Sequence, residues 1–260
     1  MSTAVGAVDD GDARMSLMEH LTELRNRLIK IAIAVVIGMV VSFLLYEPIF
    51  DILVEPYKQV ANESNTFTGD ERLVQFDPLE GFSIRMKLAG YGGIALAMPV
   101  ILWQIWRFVT PGLYDHERRY AIPFMASALT LFSLGAGLAY YTLPKALEFL
   151  IDIGGDNLVA AFAPGKYFTL ILYMMLAFGI GFEFPILLIF LQLAGVIDSG
   201  LLRRGRRFAV VGICVLVAVI TPSGDPISML MLSVPMVLFY ELSIAVGWLV
   251  ERRRAAAEPA

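Results

Sequence analysis

The chain has 260 residues, 58% of them hydrophobic and 17% charged, with a mean hydropathy of +0.70 and a formal net charge of −4. A soluble domain is roughly 45–50% apolar and about 25% charged, and several runs here approach or exceed the ~20 apolar residues that cross a ~30 Å hydrocarbon core. These values exclude an ordinary soluble domain and predict an all-α protein that spans a membrane several times. Its single cysteine, Cys214, excludes an intrachain disulfide.

Residues 1–15 are small, polar and acidic (Asp9, Asp10, Asp12) and read as a disordered tail. Ser16-Leu17-Met18-Glu19 is a capping box that would open a helix, and Leu17, Leu21, Leu24 and Leu28 follow at helical spacing. Glu19, Glu23 and Asn26 fall together on its polar face. The helix is expected to lie on the membrane surface and run into span one, Leu28–Tyr46. That span has no convincing cleavage site after it and reads as retained rather than as a signal peptide.

Glu47–Glu80 is the longest hydrophilic connection, with eight acids against Lys58 and Arg72, and Pro48 and Pro56 bracket a short amphipathic piece, Ile49–Glu55. Span two, Leu88–Trp106, and span three, Ala121–Leu143, flank the polar turn Trp106–Arg119. A second outer loop is expected at Pro144–Lys166. Span four, Phe168–Ile197, has 30 residues and would measure ~45 Å at ~1.5 Å per residue. It should tilt or kink at Pro185, and Glu183 lies near its midpoint. Span five, Phe208–Ile220, has 13 residues and reaches only ~20 Å. Thr221–Pro226 is so brief that span six, Ile227–Val250, must be its antiparallel neighbour, and residues 252–260 read as a tail. The single transmembrane domain is assigned to residues 16–251.

Charge sets the orientation. Fourteen bases fall on one side of the six spans, including Arg25, Arg27, Arg107, Arg118, Arg119, Arg203 and Arg252–Arg254, against six on the other. The positive-inside rule places the richer side, and both termini, in the cytoplasm.

No nucleotide loop is present, His20 and His116 lack metalloprotease spacing, and no nucleophile motif is evident. No metal, cofactor, nucleic-acid partner or enzymatic activity is expected. Three acids stand out. Glu23, in HLTELRNRL, and Glu117, in YDHERR, sit among bases on the inner side. Each would ordinarily pair with a local arginine, Glu23 with Arg27 at i,i+4 and Glu117 with Arg107 or Arg118, for about 0–1 kcal/mol. The sharper reading is that both face a shared surface and receive guanidinium groups from a ligand. Glu183 inside a span costs roughly 2.5–3.5 kcal/mol on insertion scales and is a functional candidate; Gln104, Tyr140 and Tyr173 are candidate partners for it. Asp225 before Pro226 fits a helix start. The methionines of Met229–Met236 read as adaptable packing. A small-molecule or ion transporter using Glu183 as a proton relay is the rival reading, weakened by the lack of a repeat between the halves.

The combination HLTELRNRL, Glu55-Pro56, PVILWQIWRFVTPGLYDHERR, GIGFEFPILL and ITPSGDP closely resembles TatC, the polytopic subunit of the twin-arginine protein translocase, over about Leu17 to Glu251. The resemblance implies a glove-like six-helix bundle with short spans five and six and a concave face around Glu183. It implies a role as receptor and core for export of folded proteins, driven by the proton-motive force. Glu23 and Glu117, with Arg25, Phe108, Arg118 and Arg119, would then bind the paired arginines of a signal peptide. Glu183 would serve transport, and Pro56 and Asp225 would hold outer structure. Single-span partners of the TatA/TatB type would dock near the short spans, where Thr221 is the polar carry-over and Met229 replaces the usual polar residue. Self-association within a receptor complex in the bilayer is also implied.

Overall fold

In a computed structural model of the chain, residues 17–63, 73, 77–109, 121–154, 163–193 and 195–257 are described. The expectations for the N-terminal tail, the Ser16 cap, Glu117, Arg118 and Arg119 lie outside them. All regular structure among the described residues is helical: α1 Leu17–Leu44, α2 Tyr46–Glu63, α3 Glu80–Val109, α4 Ala121–Gly154, α5 Pro164–Gly181, α6 Phe184–Leu193, α7 Ser199–Ile220 and α8 Pro226–Ala257. Among the described residues, five stretches are long and apolar enough to cross a membrane: Met18–Leu44, Glu80–Phe108, Ile122–Gly154, Pro164–Leu193 and Pro226–Arg252. The fold is therefore all-α and membrane-spanning. α7 is not among the five; four arginines fill its first turns, and its apolar part is the short run 208–220.

The α5–α6 unit is the central pass, with half of its most apolar window buried against 11% for α1. Phe168, Ile171, Met174 and Phe178 are fully buried against Leu143 and Leu147 of α4 and Leu232 and Met236 of α8. The outer faces remain apolar: on α7, Phe208, Val211, Val215 and Val219 are exposed. Such a surface suits hydrocarbon and would be an aggregation hazard in water. Lipid tails are as apolar as leucine, so helix pairing there relies on close approach of small residues. α1 packs mainly on α3 in this way. A Cβ added to Gly38 would stand 2.5 Å from the Gly93 carbonyl oxygen, and Ser42 donates to the Leu88 carbonyl at 3.1 Å.

Contacts divide the bundle into two ends. At one end meet the start of α1, the end of α3, the start of α4, the end of α6, the start of α7 and the end of α8. Arg27 reaches the Arg107 carbonyl, Trp106, Phe124 and Phe190 form one aromatic cluster, and Glu251 accepts from the Ser199 N–H and hydroxyl. This is the end that carries the arginine-rich segments. At the opposite end Glu80 accepts from Gly165 N–H at 2.7 Å, Lys87 donates to Gly165 O and Thr169 Oγ1, and the Arg85 guanidinium lies over the Phe43 and Tyr46 rings.

Two expectations need correction. The amphipathic piece Ile49–Glu55 is part of the 18-residue helix α2, which continues through Pro56. Proline cannot donate to the carbonyl four residues back, here that of Ile52; the Tyr140 hydroxyl donates to that oxygen instead, at 3.0 Å. Leu53, Tyr57 and Val60 bury the helix face, and Tyr167 donates to the Leu53 carbonyl at 2.6 Å. The second outer loop does not begin at Pro144: α4 runs through it to Gly154, held by Ala146 and Leu147, both buried. Past the apolar run, α8 continues as helix as far as Ala257.

The predicted kink in span four is present. α5 ends at Gly181 and α6 starts at Phe184, with Pro185 in its first turn. Glu183 N–H bonds Ile180 O at 3.0 Å, a tightened three-residue step, and the regular ladder resumes with Leu187 N–H to Glu183 O. Proline in the first helical turn needs no donor of its own.

Candidate functional site

At the arginine-rich end, one face of α1 meets the last turn of α3. Residues three and four apart share a helix face, so His20, Glu23 and Arg27 point together. The His20 ring stacks on Phe108 with 4.5 Å between centroids. Arg27 Nε donates to Glu23 Oε1 at 3.0 Å, and its Nη2 reaches the same oxygen. Nη2 also donates to the Arg107 carbonyl at 3.0 Å, and Nη1 lies 3.5 Å from Gln104 Oε1. That carbonyl is one of the last four of α3, which have no partner inside the helix, and a cation there also suits the helix dipole. The second Glu23 oxygen, Oε2, is buried and has no hydrogen-bond partner among the described residues.

The i,i+4 pairing of Glu23 and Arg27 weighed from the sequence is thus present, but it is more than a surface pair. The Arg27 side chain retains 12% of its exposure and that of Glu23 22%. Arg25 lies on an exposed face of the same helix. Spacing pointed to neither the His20–Phe108 stack nor the contact of Arg27 with Gln104 and the end of α3. The sequence separations, 77 and 80 residues for the Arg27 contacts, place that information outside any local pattern.

Glu183 sits in the break between α5 and α6, half-buried, and its Oε1 is buried without a hydrogen-bond partner among the described residues. None of its three candidate partners bonds it. Gln104 faces Arg27, Tyr140 donates to Ile52, and Tyr173 lines an open concavity of about 700 Å³ at the opposite end of the bundle. That concavity is bordered by Asp77, Glu80, Lys87, Lys166, Thr169 and Pro222, and Glu183 is not part of its wall.

Pro56 is buried in α2, where it creates the carbonyl vacancy that Tyr140 fills. Asp225, 1% exposed, caps α8: its Oδ1 accepts from Ser228 N–H at 2.7 Å, its Oδ2 accepts from the Ser223 hydroxyl, and its carbonyl accepts from Met229 N–H. Gly224 makes the turn with φ +60, a conformation that costs glycine little. Thr221 is buried and spends its hydroxyl on the Val217 carbonyl at 2.7 Å. Met229 is half-buried against the main core. No group of three or more His, Cys, Asp or Glu side chains among the described residues is placed to hold a metal ion.

The family profile described as "Sec-independent protein translocase protein (TatC)" matches residues 19–235. A protein of that name from Frankia casuarinae is 41% identical over 249 residues, covering 94% of this chain and 68% of the relative. The corresponding protein of Aquifex aeolicus is 39% identical over 249 residues, covering 95% of this chain and all of the relative. A relative from Corynebacterium kroppenstedtii is longer, and the chain spans 64% of it. A crystal structure of a twin arginine translocase receptor, TatC, superposes with a TM-score of 0.73 at 39% identity, over 89% of this chain and 99% of that one. With the profile spanning both the α1–α3 junction and the Asp225 turn, and relatives of about 40% identity along nearly the whole chain, the chain belongs to the TatC family of Sec-independent protein translocase components.

Proposed function

We propose that this protein is the receptor and core subunit of a twin-arginine translocase in the plasma membrane of a prokaryote. It crosses the bilayer six times, with α7 as the short fifth crossing and both termini in the cytoplasm. The arginine-rich end of the bundle then faces the cytoplasm, as the positive-inside rule requires. Glu23 and Glu117 receive the paired arginines of a signal peptide, flanked by Phe108, Arg25, Arg118 and Arg119. Partners of the TatA/TatB type, docked near Thr221 and Met229, and further copies of the chain complete a complex that exports folded proteins on the proton-motive force.

One observation carries this reading: Glu23 keeps an oxygen that is buried and has no hydrogen-bond partner among the described residues, at the arginine-rich end of the bundle. A buried acceptor without a donor costs about 1–3 kcal/mol, and a guanidinium group would remove that cost. The thin apolar run of α7 supports local bilayer distortion near α8. The test is photocrosslinking of a twin-arginine peptide to Glu23→Gln and Glu117→Gln variants. Weakened crosslinking is expected in each, and unchanged crosslinking in both would falsify the assigned site.

A further inference from the structure

The carboxylate of Glu23 is not symmetrical. Oε1 already accepts two N–H groups from the one Arg27 guanidinium, whereas Oε2 accepts none among the described residues. Arg27 in turn is held from α3, by the Arg107 carbonyl at 3.0 Å and by Gln104 Oε1 at 3.5 Å. A free glutamate side chain on a helix samples several rotamers. This one is tied through its partner to a neighbouring helix.

We infer that Arg27 and Gln104 are positioning residues that hold the Glu23 carboxylate by one oxygen and present Oε2 as the acceptor for an incoming arginine. The inference rests on the peptide-binding reading above and refines it. With Oε1 engaged by Arg27, the visitor does not meet a vacant carboxylate to span as in an isolated bidentate pair. It can bring two N–H groups onto Oε2, the same approach Arg27 makes to Oε1. A planar guanidinium can converge two donors on one oxygen at a fixed angle, whereas an ammonium is a rotatable point donor with nothing to gain from that angle. Orientation of Oε2 therefore bears on preference for arginine over lysine, not only on affinity.

The distinguishing measurement is a pair of affinities. The full-length protein in detergent is titrated with fluorescent signal peptides that differ only in carrying Arg-Arg or Lys-Lys, and binding is read by anisotropy. Arg27→Lys keeps a cation at the end of α3 and is expected to fold, but cannot grip Oε1 with two donors. Loss of one oriented charge-assisted contact predicts about a tenfold weaker Arg-Arg affinity with the Lys-Lys affinity unchanged. Gln104→Leu, which loosens the clamp from the other side, should narrow the same ratio by a smaller factor. Thermal unfolding of each variant shows whether the bundle is intact.

Equal weakening of both peptides would mean that Arg27 only braces α1 against α3, and would overturn the inference. So would tighter binding of both, the signature of a resident arginine that merely competes for Glu23. If the unaltered protein itself fails to prefer Arg-Arg, the receptor reading falls and takes this inference with it. A preference that survives intact in both variants sinks the inference alone.

Discussion

Asp225 offers the sharpest separation of a structural role from a transport role. It is 1% exposed and closes the N-terminus of α8 by accepting from Ser228 N–H and from the Ser223 hydroxyl. Replacing an N-cap Asp by Ala typically costs about 0.5–2 kcal/mol. Here the Ser228 backbone N–H is buried and would be left without an acceptor, a loss of about 1–3 kcal/mol that overlaps the cap cost and places it at its upper end. The half-buried Ser223 hydroxyl can turn to water and adds little. Asp225→Ala is therefore expected to lose about 2–3 kcal/mol, whereas Asp225→Asn keeps an acceptor oxygen at the same position and should lose less than about 1 kcal/mol. Unfolding in mixed micelles by titration with sodium dodecyl sulfate, followed by fluorescence of Trp103, Trp106 and Trp248, measures both. Peptide binding at the opposite end of the bundle serves as an internal control and should persist in the folded fraction. An Asn variant as unstable as the Ala variant, or an Ala variant within about 0.5 kcal/mol of the parent, would refute the capping argument and point to a role for the charge itself.

Glu183→Gln should leave signal-peptide affinity unchanged, since Glu183 lies in the helix break and away from the α1–α3 junction, while export of a folded reporter in membrane vesicles falls; full export would return Glu183 to a packing role. Gly38→Ala places a methyl group 2.5 Å from the Gly93 carbonyl oxygen, so α1 and α3 must part. Overpacking of this kind costs about 1–3 kcal/mol, and the same micelle titration should show it. Gly90→Ala is the matched control on α3, where an added Cβ meets nothing within 4 Å, and equal loss in the two variants would contradict the close-approach account.

Span length, helix type and charge asymmetry were legible along the chain because each depends on a residue and its near neighbours. The run of apolar residues sets whether a segment can cross, and Pro185 lies in the first turn of the helix that follows the break, where proline is readily accommodated. The Asp225 cap belongs in the same class: donor and acceptor lie three residues apart. The family-specific motifs also marked the acids of interest before any geometry was available. Other features required distant parts of the chain to meet. Pro56 and Pro144 read as helix stops, yet both helices continue, because an acceptor orphaned by Pro56 is filled from 88 residues away by Tyr140 and buried faces hold the rest. Tertiary packing also decided that Gln104 serves Arg27 and not Glu183, and that one oxygen of Glu23 is committed while the other is buried without a partner among the described residues. Local sequence states which groups are polar. Only the folded bundle determines which of their lone pairs are already taken, since hydrogen bonds act over about 3 Å whatever the distance along the chain.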